Sequence, residues 1–197
     1  MVKTASTMLP LGTPAPDFSL PSTDGQIISL DDFSDSRALL VAFICNHCPY
    51  VKHIAAGLKQ LADDYLPRGV GVVAINSNDA EKYPADSLAA MVQERNQRGY
   101  PFPYLFDEDQ RVARAYAAAC TPDFYLFDGG RKLVYRGQLD GSRPGNDQPV
   151  TGQDLRSALE AVLAGEPPSE TQTPSIGCNI KWKPGHEPTY FDPQGTA

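Results

Sequence analysis

Two cysteines separated by two residues, Cys45 and Cys48, enclose Asn46 and His47. Thiols at this spacing can close into a disulfide and reopen, so the residue types point first to thiol–disulfide exchange. That chemistry needs one sulfur ionised, because the thiolate is the nucleophile. An apolar run, residues 38–44, ends at Cys45, and a helical pattern follows within a few residues. Cys45 is therefore expected at the positive end of a helix, as an exposed attacking thiol with a lowered pKa, and Cys48 one turn on as the resolving thiol. His47 would stabilise the thiolate, favour the reduced pair and make the disulfide more oxidising. With His53 nearby, Cys45, His47 and Cys48 also form a donor set that zinc accepts. No second C-x-x-C is present, and one helical turn is a poor cage for an ion, so no metal site is assigned. Simple core packing is the third reading, and the polar Asn46 and His47 argue against it.

The other two cysteines are candidates for accessory redox roles. Cys120 stands two residues before Pro122, and Cys178 lies in an apolar segment, residues 176–182, with the only Trp, Trp182. An apolar patch in a polar tail is expected to fold back onto the body of the protein.

The elements that must position these residues follow from periodicity. Residues 38–44 and 70–75 read as strands buried on both faces. Val51, Ile54, Ala55, Leu58, Leu61 and Tyr65 recur at helical spacing, predicting a helix that starts near Asn46 with Pro49 in its first turn. Further helices are predicted over 88–98 and 110–119, and a last one capped by Thr151 and ended by Gly165. A short strand is expected at 104–106. Hairpins are expected around Asp24-Gly25 and Asp128-Gly129-Gly130. The order implies an α/β fold: a mixed central sheet with helices on both faces, an N-terminal hairpin and an irregular C-terminal tail. The expected division is residues 1–165 as the domain and 166–197 as a tail packed on it.

The chain has 197 residues, 41% hydrophobic and 21% charged, which suits one well-buried core. With 17 basic and 24 acidic residues, a net charge of −7 and no basic cluster, nucleic acid is an unsuitable partner. No stretch reaches the ~20 apolar residues of a membrane span, and no signal-peptide core leads the chain, so a cytoplasmic location is expected. No nucleotide or flavin fingerprint is present, so no cofactor is expected and electrons would come from another protein or a small thiol.

Cys45 to Cys48, the opening Pro14-Ala15-Pro16-Asp17-Phe18 and the later Thr121-Pro122 together resemble the thioredoxin superfamily, in its alkyl hydroperoxide reductase/thiol-specific antioxidant branch. The resemblance covers about residues 12 to 164. The string from Cys45 to Val51, with Ser175-Ile176-Gly177-Cys178, looks like a peroxiredoxin-like subgroup. The resemblance implies a thioredoxin fold with Pro122 in the cis form facing the active disulfide and with substrate peptide paired beside it. It makes Thr121 and Asn46 candidates for substrate contact. It also implies protein or small-molecule disulfides as substrates and a separate reductant such as thioredoxin, a thioredoxin reductase or glutathione, in redox homeostasis. There are departures. Leu39 stands where thioredoxins carry a buried acid, and Ile44 where they carry Trp. Against the peroxiredoxin pattern P-x-x-x-T-x-x-C, Val41 and Cys45 replace Pro and Thr, and no Arg falls in 120–127. The leading expectation is thus a thiol–disulfide oxidoreductase. The alternatives are an antioxidant thiol peroxidase, or a non-catalytic thiol sensor or metal-binding module.

Overall fold

The computed structural model describes residues 3–192 and 194. In chain order its elements are β1 (Lys3–Ala5), β2 (Ser19–Pro21), β3 (Ile27–Ser29), β4 (Ala38–Phe43), α1 (Pro49–Tyr65), β5 (Val70–Asn76), α2 (Leu88–Arg98), β6 (Tyr104–Phe106), α3 (Arg111–Ala115), β7 (Cys120–Thr121), β8 (Asp123–Asp128), β9 (Leu133–Gly137), α4 (Gln153–Ala164) and β10 (Ile176–Asn179). The two continuous apolar runs become β4 and β5, and every residue of both is buried. They pair in parallel at the centre of a five-stranded sheet ordered β6-β5-β4-β8-β9. β6 joins in parallel, while β8 and β9 run antiparallel as a hairpin, so the sheet is mixed. β2 and β3 form the N-terminal hairpin.

Side chains alternate across β4. Leu40 and Ala42 share a core with Ile54, Leu58 and Leu61 of α1, Met91 of α2, and Leu155 and Leu159 of α4. Leu39, Val41 and Phe43 face the other way, into a core with Val112 and Ala113 of α3. Each buried Leu or Ile contributes roughly 1.5–3 kcal/mol, so these two layers hold the end of β4 firmly. That end is where Cys45 emerges.

Three helix boundaries differ from the periodic reading. α1 starts at Pro49 with Cys48 as its N-cap, not near Asn46. Proline lacks an N–H and its φ is preset, so it takes the first helical position, where that donor would be unpaired anyway. α3 is short because Gln110 and Ala117 bracket it with left-handed φ values of 61° and 50°. α4 is capped by Gly152 rather than Thr151, because the Asp140 carboxylate accepts from both the Thr151 and Gly152 N–H groups.

A second small sheet is ordered β1-β10-β7. Within the otherwise irregular tail, β10 lies antiparallel between the N-terminal β1 and the two residues that precede Pro122. Beyond it, Ile180 and Trp182 are buried in the α3-side core, with Trp182 edge-on to Tyr190 at 6.4 Å. Among the described residues, no helix is long and apolar enough to cross a membrane.

Candidate active site

The helix start decides the electrostatics of the two cysteines. Unpaired N–H groups and the positive dipole end of α1 fall on Cys48, its N-cap, rather than on Cys45. Cys178 Sγ lies 3.0 Å from Cys48 Sγ. Hydrogen bonding from Cys178 and then from Cys45 holds the Cys48 thiol well below its ordinary range against the effect of burial. The Val51 amide of the first turn also favours the charge, without closing a cap hydrogen bond. The Thr121 carbonyl, 3.2 Å from Cys48 Sγ, accepts a hydrogen bond from the Cys48 thiol when it is protonated. Cys45 goes the other way. Its hydrogen bond to Cys48, its burial and the nearby Asp86 carboxylate push its thiol well above the ordinary range, although the Thr121 hydroxyl lies 3.3 Å from its sulfur. The N-cap position and these contacts favour charge on Cys48 and the proton on Cys45. Nor is Cys45 exposed, since all four cysteines are buried.

Asn46 and His47 are tied to a residue that the motif does not announce. Asp86, fully buried in the loop before α2, accepts from the Asn46 backbone N–H at 2.8 Å and from Asn78 Nδ2 at 2.8 Å, and meets His47 Nδ1 at 2.5 Å. Burial pushes the Asp86 carboxyl up, but the His47, Asn78 and Asn46 contacts outweigh it and leave it below its ordinary value. His47 also stacks on Tyr83, with centroids 5.6 Å apart and planes 10° apart. Its direct partner is thus a carboxylate and not a thiolate. The Asn46 side chain is also tied down. Its Nδ2 donates to the Ala85 carbonyl, and its Oδ1 accepts from the Tyr104 hydroxyl.

Thr121 lies against both thiols, and the bond between Thr121 and Pro122 is cis. Cys120 is fully buried, with its sulfur turned to the Pro122 and Ser175 carbonyls at 3.6 and 3.9 Å. Burial and the Asp123 charge push its thiol up, so it behaves as a packed residue. His53 pairs instead with Ser142 Oγ at 2.7 Å. Donor atoms of Cys45, His47 and Asp86 do lie within 4.8 Å of one another. Three donors, with His47 Nδ1 already engaged by Asp86, fall short of a tetrahedral zinc cage.

The family model described as AhpC/TSA family matches residues 11–136. The chain belongs to the AhpC/TSA family. Peroxiredoxin Bcp of Escherichia coli K12 is 27% identical over 135 residues, covering 68% of this chain and 81% of that protein. Thiol-disulfide oxidoreductase ResA of Bacillus thuringiensis is 23% identical over 153 residues, covering 78% of this chain and 76% of its own. Among solved structures, an uncharacterized conserved protein from Geobacillus kaustophilus superposes with a TM-score of 0.92 at 57% identity, covering 94% of this chain and 98% of its own. At the level of the family, the chain is a thioredoxin-superfamily protein of thiol–disulfide oxidoreductase or peroxiredoxin-like chemistry. Asp86 and Asp123, the buried acids near the cysteines, had no signal in the sequence beyond their residue type.

Proposed function

We propose that this protein is a thiol–disulfide oxidoreductase whose working couple is Cys45 and Cys48, with Cys48 as the thiolate. One observation carries the reading: Cys48 is the N-cap of α1, where the helix dipole favours a thiolate, and Thr121 touches both its sulfur and that of Cys45. The Cys48 thiolate attacks a substrate disulfide, forms a mixed disulfide and expels one thiolate. Cys45 then passes its proton to a leaving sulfur, attacks Cys48 and closes the intramolecular disulfide. An external thiol, either a reducing protein or glutathione, returns the pair to the dithiol. Four unevenly spaced cysteines in 197 residues are too few for a disulfide-stapled secreted domain, which supports a cytoplasmic role in redox homeostasis.

The test is titration in a glutathione redox buffer, read by alkylation and peptide mass spectrometry. The couple should titrate as a two-electron step that consumes the Cys48 thiol, and Cys48→Ser should abolish turnover of a small disulfide. Undiminished turnover in Cys48→Ser would overturn the reading.

A hydroperoxide-reducing role is the second reading, and the stabilised Cys48 thiolate at a helix start favours it. Against it, cysteine sulfurs supply the hydrogen bonds around Cys48, and Cys45 takes the peroxidase threonine position. Polarising an O–O bond calls for stronger oriented donors. Sulfenic acid formation on mixing with hydrogen peroxide should accordingly be slow.

A further inference from the structure

β10 does more than close the tail onto the body. Its register sets Cys178 opposite Thr121 and Asn179 opposite Cys120, and the Ile180 N–H continues the pairing to the Ala119 carbonyl at 3.0 Å. Ser175 Oγ donates to the Pro122 carbonyl at 2.6 Å. Gly177 comes so close that a Cβ there would strike the Thr121 carbonyl, so no side chain separates β10 from the backbone beside Cys48. On its outer edge β10 is held by β1, with Lys3 opposite Cys178. The backbone edge beside Cys48 is therefore filled from within the chain. The crevice along this side, between Tyr50, Pro122, Arg143 and Ile176, has a volume of only about 10 Å³. On the opposite side, a depression of about 260 Å³ opens beside Asn46, His47, Lys52 and Glu94.

We propose that Cys178 is a third redox thiol that takes the disulfide over from Cys45, and that β10 confines the external partner to small thiols and disulfides. The proposal rests on the Cys45–Cys48 reading above. Once Cys45 and Cys48 are joined, Cys178 Sγ gives up its proton and attacks Cys48 Sγ, its neighbour at 3.0 Å. The Cys48–Cys178 bond forms, the Cys45–Cys48 bond breaks, and Cys45 leaves as a thiolate that takes the proton. The number of disulfides is unchanged, so no further oxidant is needed. An extended polypeptide could reach Cys48 along this edge only by displacing β10 from both β1 and β7. A small disulfide can approach from the His47 side.

Peptide mapping after oxidation by glutathione disulfide tests the relay. Wild type should yield both Cys45–Cys48 and Cys48–Cys178 linked peptides. Cys45→Ser should yield only the Cys48–Cys178 link, and Cys178→Ser should stop at Cys45–Cys48. The relay is overturned if Cys45→Ser, with an unaltered circular dichroism spectrum, carries glutathione on Cys48 while Cys178 is fully alkylated. A missing Cys45–Cys48 link in Cys178→Ser would overturn the parent reading, and the relay with it. For the partner class, wild type should turn over hydroxyethyl disulfide and lose that activity with insulin. Insulin reduction at a matching rate would overturn the confinement.

Discussion

At the scale of single residues, the site is governed by which sulfur holds charge. Cys48 owes its ionisation to two neighbouring thiols, so removing either should be felt there. Cys178→Ala and Cys45→Ala should each raise the Cys48 pKa by about one unit, equivalent to ~1.4 kcal/mol. The pH profile of iodoacetamide alkylation, followed on the Cys48 peptide, reads this directly. An unmoved profile in Cys178→Ala would show that the 3.0 Å contact does not support the thiolate. His47 and Asp86 form the second device, with Nδ1 and the buried carboxylate 2.5 Å apart beside Cys45. His47→Gln leaves the buried carboxylate unbalanced, disfavours the thiolate form and should make the couple more reducing. Asp86→Asn removes a carboxylate charge that disfavours a thiolate at Cys45 and should make it more oxidising. Shifts of tens of millivolts are expected, where ~30 mV corresponds to ~1.4 kcal/mol. Shifts of the same sign in both variants would contradict the pairing.

At the scale of elements, a short strand and a helix start do the positioning. Pro49 at the first helical position moves the dipole end of α1 from Cys45 to Cys48. β10 presents Cys178, and its close approach depends on Gly177 having no side chain. Gly177→Ala should push β10 off β7 and lower stability by about 1–3 kcal/mol, the range for overpacking a tight contact. Urea unfolding gives the energy, and amide hydrogen exchange over residues 176–180 gives the location. Exchange as slow as in wild type would show that the Thr121 carbonyl yields without separating the strands.

At the scale of the whole molecule, a buried acid should shape stability against pH. Asp123, on β8 directly after Pro122, is fully buried, and burial raises its pKa to about 7 despite hydrogen bonds from the Ser6 and Tyr125 hydroxyls. The unfolded value is ~3.9, so the folded state binds the proton more tightly. Its contribution is fully present below pH ~4 and is lost as pH rises through about 7. Asp123→Asn should flatten that decline, so that unfolding free energies at pH 5 and pH 8 draw closer than in wild type. An equal gap in both proteins would place the pH dependence elsewhere. Asp86 works in the opposite sense. Its folded pKa is lowered, so its contribution is present above ~3.9 and lost only as pH falls through the folded value.

Much of the fold was legible because its signals lie between near neighbours in the chain. Unbroken apolar runs, helical spacing and Asp-Gly turns place β4, β5, α1, α2 and the two hairpins, and they set Cys45 and Cys48 at a strand–helix junction. The α/β fold and its mixed sheet follow from the order of those elements. Three features were decided only by tertiary structure. Asp86 reaches Asn46 across 40 positions, Cys178 reaches Cys48 across 130, and β10 fills a strand edge that the composition of the tail does not announce. The charge on each sulfur is decided in the same way. A thiol's pKa depends on the donors, charges and dielectric that surround its sulfur in space, and sequence spacing records only the few of these that lie within a helical turn.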